Sequence, residues 1–320
     1  MNHHIVPPLV IAACTGLVCP GLLARARWVR QAPRLAIVAW GVLVVAFTTM
    51  VALGAMQLIL PYDNAHRLAN QALTCLPWSG EPCGGTAGAT AGGPHGAHGT
   101  AVEAVDRVAL AAAAAVLALP TAAFCRELLT ARRRRVRHAR DLRLVGRADR
   151  DLRATVVAHG EPAVYCLPGR SAQIVVTTGA MSLLTEAQLA AALRHERAHI
   201  AGRHHMVIGG VEAFGRVFRG LPLTRLARAE VPLLLEMTAD DHALRHCSRD
   251  VLATALYSMA AGQPGDRGAF AAGGPSAAIR IARILDRRRP GCPVLHGLTS
   301  VAVTAGLMVP IATSCCFVLS

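Results

Sequence analysis

Arg194-His195-Glu196-Arg197-Ala198-His199 is the stretch on which the reading of this chain turns. It contains His-Glu-x-x-His, and in a helix the four-residue spacing sets both imidazoles on one face, where they can grip a single Zn²⁺. Glu196 is placed to take a proton from a water held there, the task that zinc hydrolysis gives to a carboxylate. With 14 histidines and 9 glutamates in 320 residues, chance predicts such a motif only about 0.02 times.

The flanking residues supply the helix. Thr185 and Gln188 have the spacing of a capping box, Leu189, Ala192 and Leu193 carry the apolar face, and Gly202 offers a stop. Two imidazoles do not complete a catalytic zinc site, which usually has three protein ligands. The third candidate is Glu236 in Glu236-Met237-Thr238-Ala239-Asp240, on a second helix that Pro232 is expected to open from its first turn. Asp240 falls on the same face as Glu236 and is expected to accept the free N–H of a ligating histidine. His242, Arg245 and His246 are candidate oxyanion stabilisers, with a surface or supporting role as the alternative. The same alternative holds for His204 and His205.

His-Glu-x-x-His followed by Glu-x-x-Ala-Asp, and preceded by Leu167-Pro168-Gly169 and Ile174-Val175-Val176-Thr177-Thr178-Gly179, resembles the membrane-embedded gluzincins. Two branches share the likeness: the BlaR/MecR-type antirepressor peptidases, and the HtpX-type peptidases with their CAAX-prenyl-processing relatives. The resemblance spans roughly residues 156–250. It implies one Zn²⁺ per chain, held by His195, His199 and Glu236, with Glu196 as base. It also implies a protein or peptide substrate: a transcriptional repressor in the first branch, a damaged or precursor membrane protein in the second. In such enzymes an edge strand beside the metal pairs with the substrate backbone. Ile174, Val175, Val176, Thr177 and Thr178 are the candidate strand, an ordinary core strand being the alternative. Ala154–His159 and Ala163–Cys166 read as two further strands. Beta-lactam-sensing members of the first branch carry a C-terminal sensor domain. None follows the last apolar block, so antibiotic sensing by this chain alone is not expected.

Composition locates the enzyme at a membrane. Hydrophobic residues make up 53% and the mean hydropathy is +0.41, with the excess gathered in blocks at 5–23, 35–60, 108–124 and 294–319, each near the roughly 20 residues a bilayer requires. Arg25, Arg27, Arg30 and Arg34 crowd the first connection and Arg132–Arg135 follow the third block, whereas the connection over 61–107 has only Arg67 and Arg107. The arginine-rich side belongs in the cytoplasm. Both termini are then external, and Arg280, Arg283 and Arg287–Arg289 read as an inside anchor before the last span. The expected fold is mainly α: a four-helix transmembrane anchor, with a cytoplasmic α+β zincin-like metallopeptidase domain over 131–290 containing a small β-sheet. Residues 1–130 form the membrane region and 291–320 the last span.

The net charge of +14 does not point to nucleic acid. The basic clusters abut spans, as topology and anionic lipid predict, and no helix-turn-helix, zinc knuckle or RNA-binding aromatic signature accompanies them. Lysine is absent altogether. Among ten cysteines, only Cys75 and Cys83 share the external loop and are placed to pair; Cys166 and Cys247 are expected reduced. The glycine-rich run 84–99 reads as a flexible tether, and 264–275 as a flap or a linker. Three function classes follow: a regulatory peptidase acting on a cytosolic repressor or regulator, a quality-control or processing peptidase, and a non-catalytic membrane receptor or scaffold.

Overall fold

Long apolar runs without breakers make the N-terminal part of the chain helical. A computed structural model describes residues 6–59, 96–169, 172–262 and 274–286. Helix α1 (Val6–Ala13) passes through a π-helical turn, Cys14–Val18, into α2 (Cys19–Arg25); a short α3 (Trp28–Gln31) then leads to α4 (Pro33–Ile59). The next described element is α5 (Gly96–Val145), a single helix of 50 residues. Three segments, Pro7–Arg25, Pro33–Ala55 and Leu110–Leu142, are long and apolar enough to cross a membrane. The fourth expected span, the Cys75–Cys83 pair and most of the 264–275 segment lie outside the described residues.

Helix α5 departs from expectation at both ends. The connection expected over 61–107 is helical from Gly96 onward, and the helix expected to end near residue 124 continues through Arg132–Arg135 to Val145. Extending a nucleated helix adds one hydrogen bond per residue, so two glycines at about 1 kcal/mol each do not stop it. The boundary placed between residues 130 and 131 therefore falls inside one helix.

A four-stranded sheet follows: β1 (Gly146–Asp149), β2 (Ala154–Val157), β3 (Val164–Leu167) and β4 (Gln173–Thr177), in the order β1-β2-β4-β3. β2 runs parallel to β4, while β1 and β3 are antiparallel to their neighbours. Asp149 Oδ1 accepts the N–H groups of Asp151 and Leu152 and so turns β1 into β2. The order corrects the substrate-edge assignment. Ile174, Val175, Val176 and Thr177 lie on β4, which is hydrogen-bonded on both sides and has no free edge; Thr178 begins the next helix. The edges are β1 and β3.

Thr177 caps α6 (Thr178–Leu183) by accepting from the N–H of Ala180. Helix α7 (Glu186–Ala201) carries the histidine motif; both hydrogen bonds of the Thr185/Gln188 capping box are present, and Gly202 closes it. After α8 (His204–Val217) comes α9 (Pro222–Ala243), then α10 (Arg249–Ala261) and α11 (Gly274–Leu285). Pro222, not Pro232, opens α9. A proline in the first turn sacrifices no helical hydrogen bond, whereas Pro232 inside removes one. Burial of Val231, Leu234 and Leu235 around it offsets that loss.

The expected separation of anchor and catalytic domain is not what packing shows. Trp40, Phe47 and Met50 of α4 share one core with Phe214 of α8 and Leu223, Val231 and Leu234 of α9. Phe47 meets Phe214 and Phe218 edge to face, with centroids 6.0 and 5.2 Å apart. α8 and the carboxylate-bearing α9 are thus bolted to the apolar N-terminal bundle, and the histidine-bearing α7 packs in turn on α9. Leu234 is fully buried there, so Leu234→Ala is expected to cost about 2–5 kcal/mol, read as a lowered unfolding midpoint in detergent.

Candidate metal centre

Helical spacing brings His195 and His199 to one face of α7, with ring centroids 4.8 Å apart. α9 crosses that face and delivers Glu236. His195 Nε2 lies 3.0 Å from His199 Nε2 and 3.2 Å from Glu236 Oε2, and His199 Nε2 lies 3.4 Å from Glu236 Oε1. One ligand atom from each residue falls within 4.8 Å of the other two, a set that could hold a metal ion. The chemistry of the donors and their spacing fit zinc: bonds of about 2.0–2.1 Å in a tetrahedron set ligand atoms about 3.3 Å apart. The set is shielded, with His195 buried and His199 and Glu236 partly so.

Each imidazole has a second partner behind it. His195 Nδ1 lies 3.0 Å from Asp240 Oδ1, yet that nitrogen has no hydrogen bond of good geometry. The contact is therefore short in distance but bent in angle. It still orients the ring, because Asp240 is wholly buried. His199 Nδ1 lies 2.8 Å from His204 Nδ1. Burial, then the neighbouring His199, pushes the His204 pKa down to about 4, so at neutral pH it accepts the His199 Nδ1–H and leaves Nε2 of His199 with a lone pair. Local backbone makes this possible. Arg203 adopts left-handed φ of 49°, folding α8 back on α7, and a Cβ at Gly202 would stand 2.4 Å from His204 Nε2.

The cation at the centre is Arg280, from α11. It donates to both Asp240 oxygens at 2.7 and 2.8 Å and approaches Glu236 Oε2 at 2.9 Å. Arg283, one turn on, makes a fork to Asp241 and also donates to the backbone oxygen of Arg30. Sequence had placed both in a basic stretch before a span. The only hint of another role was their three-residue spacing, which matches carboxylates at 236, 240 and 241 only after folding. Burial, then the charge of the Glu196 carboxylate, pushes the thiol of Cys166 on β3 up to about 12, so it stands there as a neutral S–H.

The other candidates lie apart. Among the described residues no hydrogen bond or ion pair joins His242, Arg245 or His246 to His195, His199 or Glu236. Arg194 donates to the His246 backbone oxygen, His242 and His246 pack ring to ring, and His242 lines a cavity walled also by α4, α7 and α8.

Electrostatics at the centre favour opposite charges held together. Burial disfavours the His195 cation, but Asp240 and Glu236 outweigh it and hold the pKa up at about 9. Burial likewise opposes ionisation of Glu236 and Asp240, and it is outweighed for Glu236 by His195, His199 and Arg280 and for Asp240 by Arg280 and His195, so both carboxyls sit below the usual range. The signs give a pH window for the metal-free protein. The raised His195 contributes stability fully below about pH 6.5 and loses it as pH rises through about 9; the lowered carboxyls contribute above about pH 4–4.5 and lose it on acidification. Metal must displace the His195 proton, so apparent zinc affinity is expected to rise about tenfold per pH unit from 6.5 toward 9 and then to flatten. Calorimetric zinc titration across that range checks the slope.

Residues 129–226 match the family model described as Peptidase family M48. That stretch is less than a third of the chain and contains the sheet, His195, Glu196 and His199, ending before Glu236. It supports a metallopeptidase of that family. No curated protein and no solved structure gives a significant match to the chain.

Proposed function

We propose that this protein is an integral-membrane zinc metalloendopeptidase that hydrolyses peptide bonds of a protein substrate. The convergence of His195, His199 and Glu236, with Glu196 on the same helix, carries the reading. Zinc, when bound, supplies Lewis-acid polarisation of a water and of the scissile carbonyl. His195 and His199 offer Nε2, Glu236 a carboxylate oxygen, and Asp240 and His204 hold the two rings in the ligating tautomer. Glu196 takes the proton from the attacking water and passes it to the leaving amide nitrogen. β3, the edge strand that packs against α7, is the element against which an extended substrate backbone would pair.

The arginine-rich connections favour a cytoplasmic site with external termini, and with it a regulatory peptidase acting on a cytosolic repressor or regulator. A second reading, processing or quality control of membrane proteins, is favoured by the core shared between α9 and the N-terminal helices, which ties the site to segments long and apolar enough to cross a membrane. The test is co-expression of the wild type or Glu196→Gln with candidate repressors and with single-span membrane proteins. Cleavage by the wild type alone supports the enzyme and its substrate class identifies the branch. Equal behaviour of the two proteins, with zinc absent from both, leaves only a receptor or scaffold.

A further inference from the structure

A cavity of about 400 Å³ is walled by residues of α4, α7, α8 and α9, among them His204, which contacts His199. Its volume is within the range of small-molecule sites. Arg34 from the first turn of α4, His204 from α8 and His242 from α9 line it, and no carboxylate does. Among the described residues Arg34 has no ion-pair partner. The remaining wall is apolar except for Thr238, whose hydroxyl donates to the Leu234 carbonyl of its own helix, and includes Ile37, Val207 and Leu235. Thus the cavity carries the Arg34 guanidinium and the His204 and His242 imidazoles beside a wall that accepts hydrocarbon.

Position supplies the second, independent observation. Arg34 and Ile37 belong to the start of Pro33–Ala55, a segment long and apolar enough to cross a membrane. If that segment spans, the cavity lies where it leaves the bilayer, at the depth of lipid phosphates. The chemistry that matches is a phosphate with attached acyl chains. Anionic lipid near basic side chains is favoured at this level of a membrane, and Arg is suited to phosphate because its planar fork pairs with two oxygens. We propose that the cavity binds the headgroup phosphate of an anionic phospholipid, with Arg34 as counter-charge and His204 and His242 as hydrogen-bond donors. Because His204 also contacts His199, the lipid would sit one side chain away from the proposed metal ligands. The lipid site itself does not depend on the peptidase reading.

The full chain, purified in mild detergent, is titrated with phosphatidylglycerol, with phosphatidylcholine, or with inorganic phosphate, and bound lipid is counted by native mass spectrometry. Arg34→Gln and His242→Gln are compared with Arg25→Gln, which removes a charge at the same end of the bundle but not from the cavity. The expected result is preferential retention of phosphatidylglycerol, weakened about five- to tenfold by Arg34→Gln, about the loss of one charged contact. A smaller weakening is expected for His242→Gln and none for Arg25→Gln. Equal retention of phosphatidylcholine, equal weakening by Arg34→Gln and Arg25→Gln, or binding of inorganic phosphate as tight as that of the lipid would each overturn the proposal.

Discussion

Glu196→Gln is expected to lower peptide hydrolysis by about 10²–10⁴-fold, the usual contribution of a positioned acid–base group, while zinc content stays unchanged. Glutamine keeps the shape of the side chain and a hydrogen-bonding oxygen but cannot accept the proton. The ligand atoms of His195, His199 and Glu236 already face one another without help from Glu196, so the substitution removes no donor to the ion. Retained zinc with lost turnover separates base from ligand. Loss of both together would mean that Glu196 supports the fold of α7, and unchanged turnover would remove it from the reaction.

Arg280→Met is expected to be the most destabilising single change at the centre, at about 3–5 kcal/mol. Asp240 is fully buried and Arg280 holds both its oxygens, so deleting the guanidinium leaves a carboxylate that water cannot reach. Methionine retains much of the volume, so the cost reports charge more than packing. Adding Asp240→Asn to Arg280→Met should recover part of the loss by removing the stranded charge. Breaking the exposed pair between Arg228 and Glu212 should cost less than about 1 kcal/mol, because solvent already screens it. Unfolding midpoints of the four proteins check the order. Zinc affinity of Arg280→Met should also fall about 10–100-fold, the range for lost outer partners of a metal ligand.

How far the site was legible depends on whether its parts are set by local spacing. His195, Glu196 and His199 are fixed by one helix, whose cap at Thr185 and stop at Gly202 are written beside them. Glu236 and Asp240 share a face for the same reason, although their helix begins at Pro222. A proline reads the same at a first turn and in an interior, and only burial across α9 decides between them. Arg280 belongs to the opposite class. Its partners lie 40 and 44 positions earlier, and its neighbours in sequence already had an adequate explanation as a cytoplasmic basic cluster.

The sheet divides in the same manner. Three strands announce themselves through Val, Ile and Thr, while β1, Gly-Arg-Ala-Asp, has no β-branched residue and exists because β2 offers it an edge. The centrality of β4 follows from a parallel crossover between β2 and β4, a topological fact with no local signature. The joining of α8 and α9 to the N-terminal bundle was hidden for a similar reason. Phe214, Leu223 and Leu234 read as the apolar face of any amphipathic helix, and nothing in their spacing says that Trp40, Phe47 and Met50 will cover them.

The central claim is that one zinc ion per chain is held by two imidazoles and one carboxylate. X-ray absorption at the zinc edge, on the purified full chain with its metal counted, tests it most directly. The account predicts stoichiometric zinc with nitrogen and oxygen neighbours at about 2.0–2.2 Å and the loss of zinc in His199→Ala and Glu236→Ala. A folded chain that takes up no zinc when supplied with it, or bound zinc with sulfur neighbours at about 2.3 Å, would contradict it.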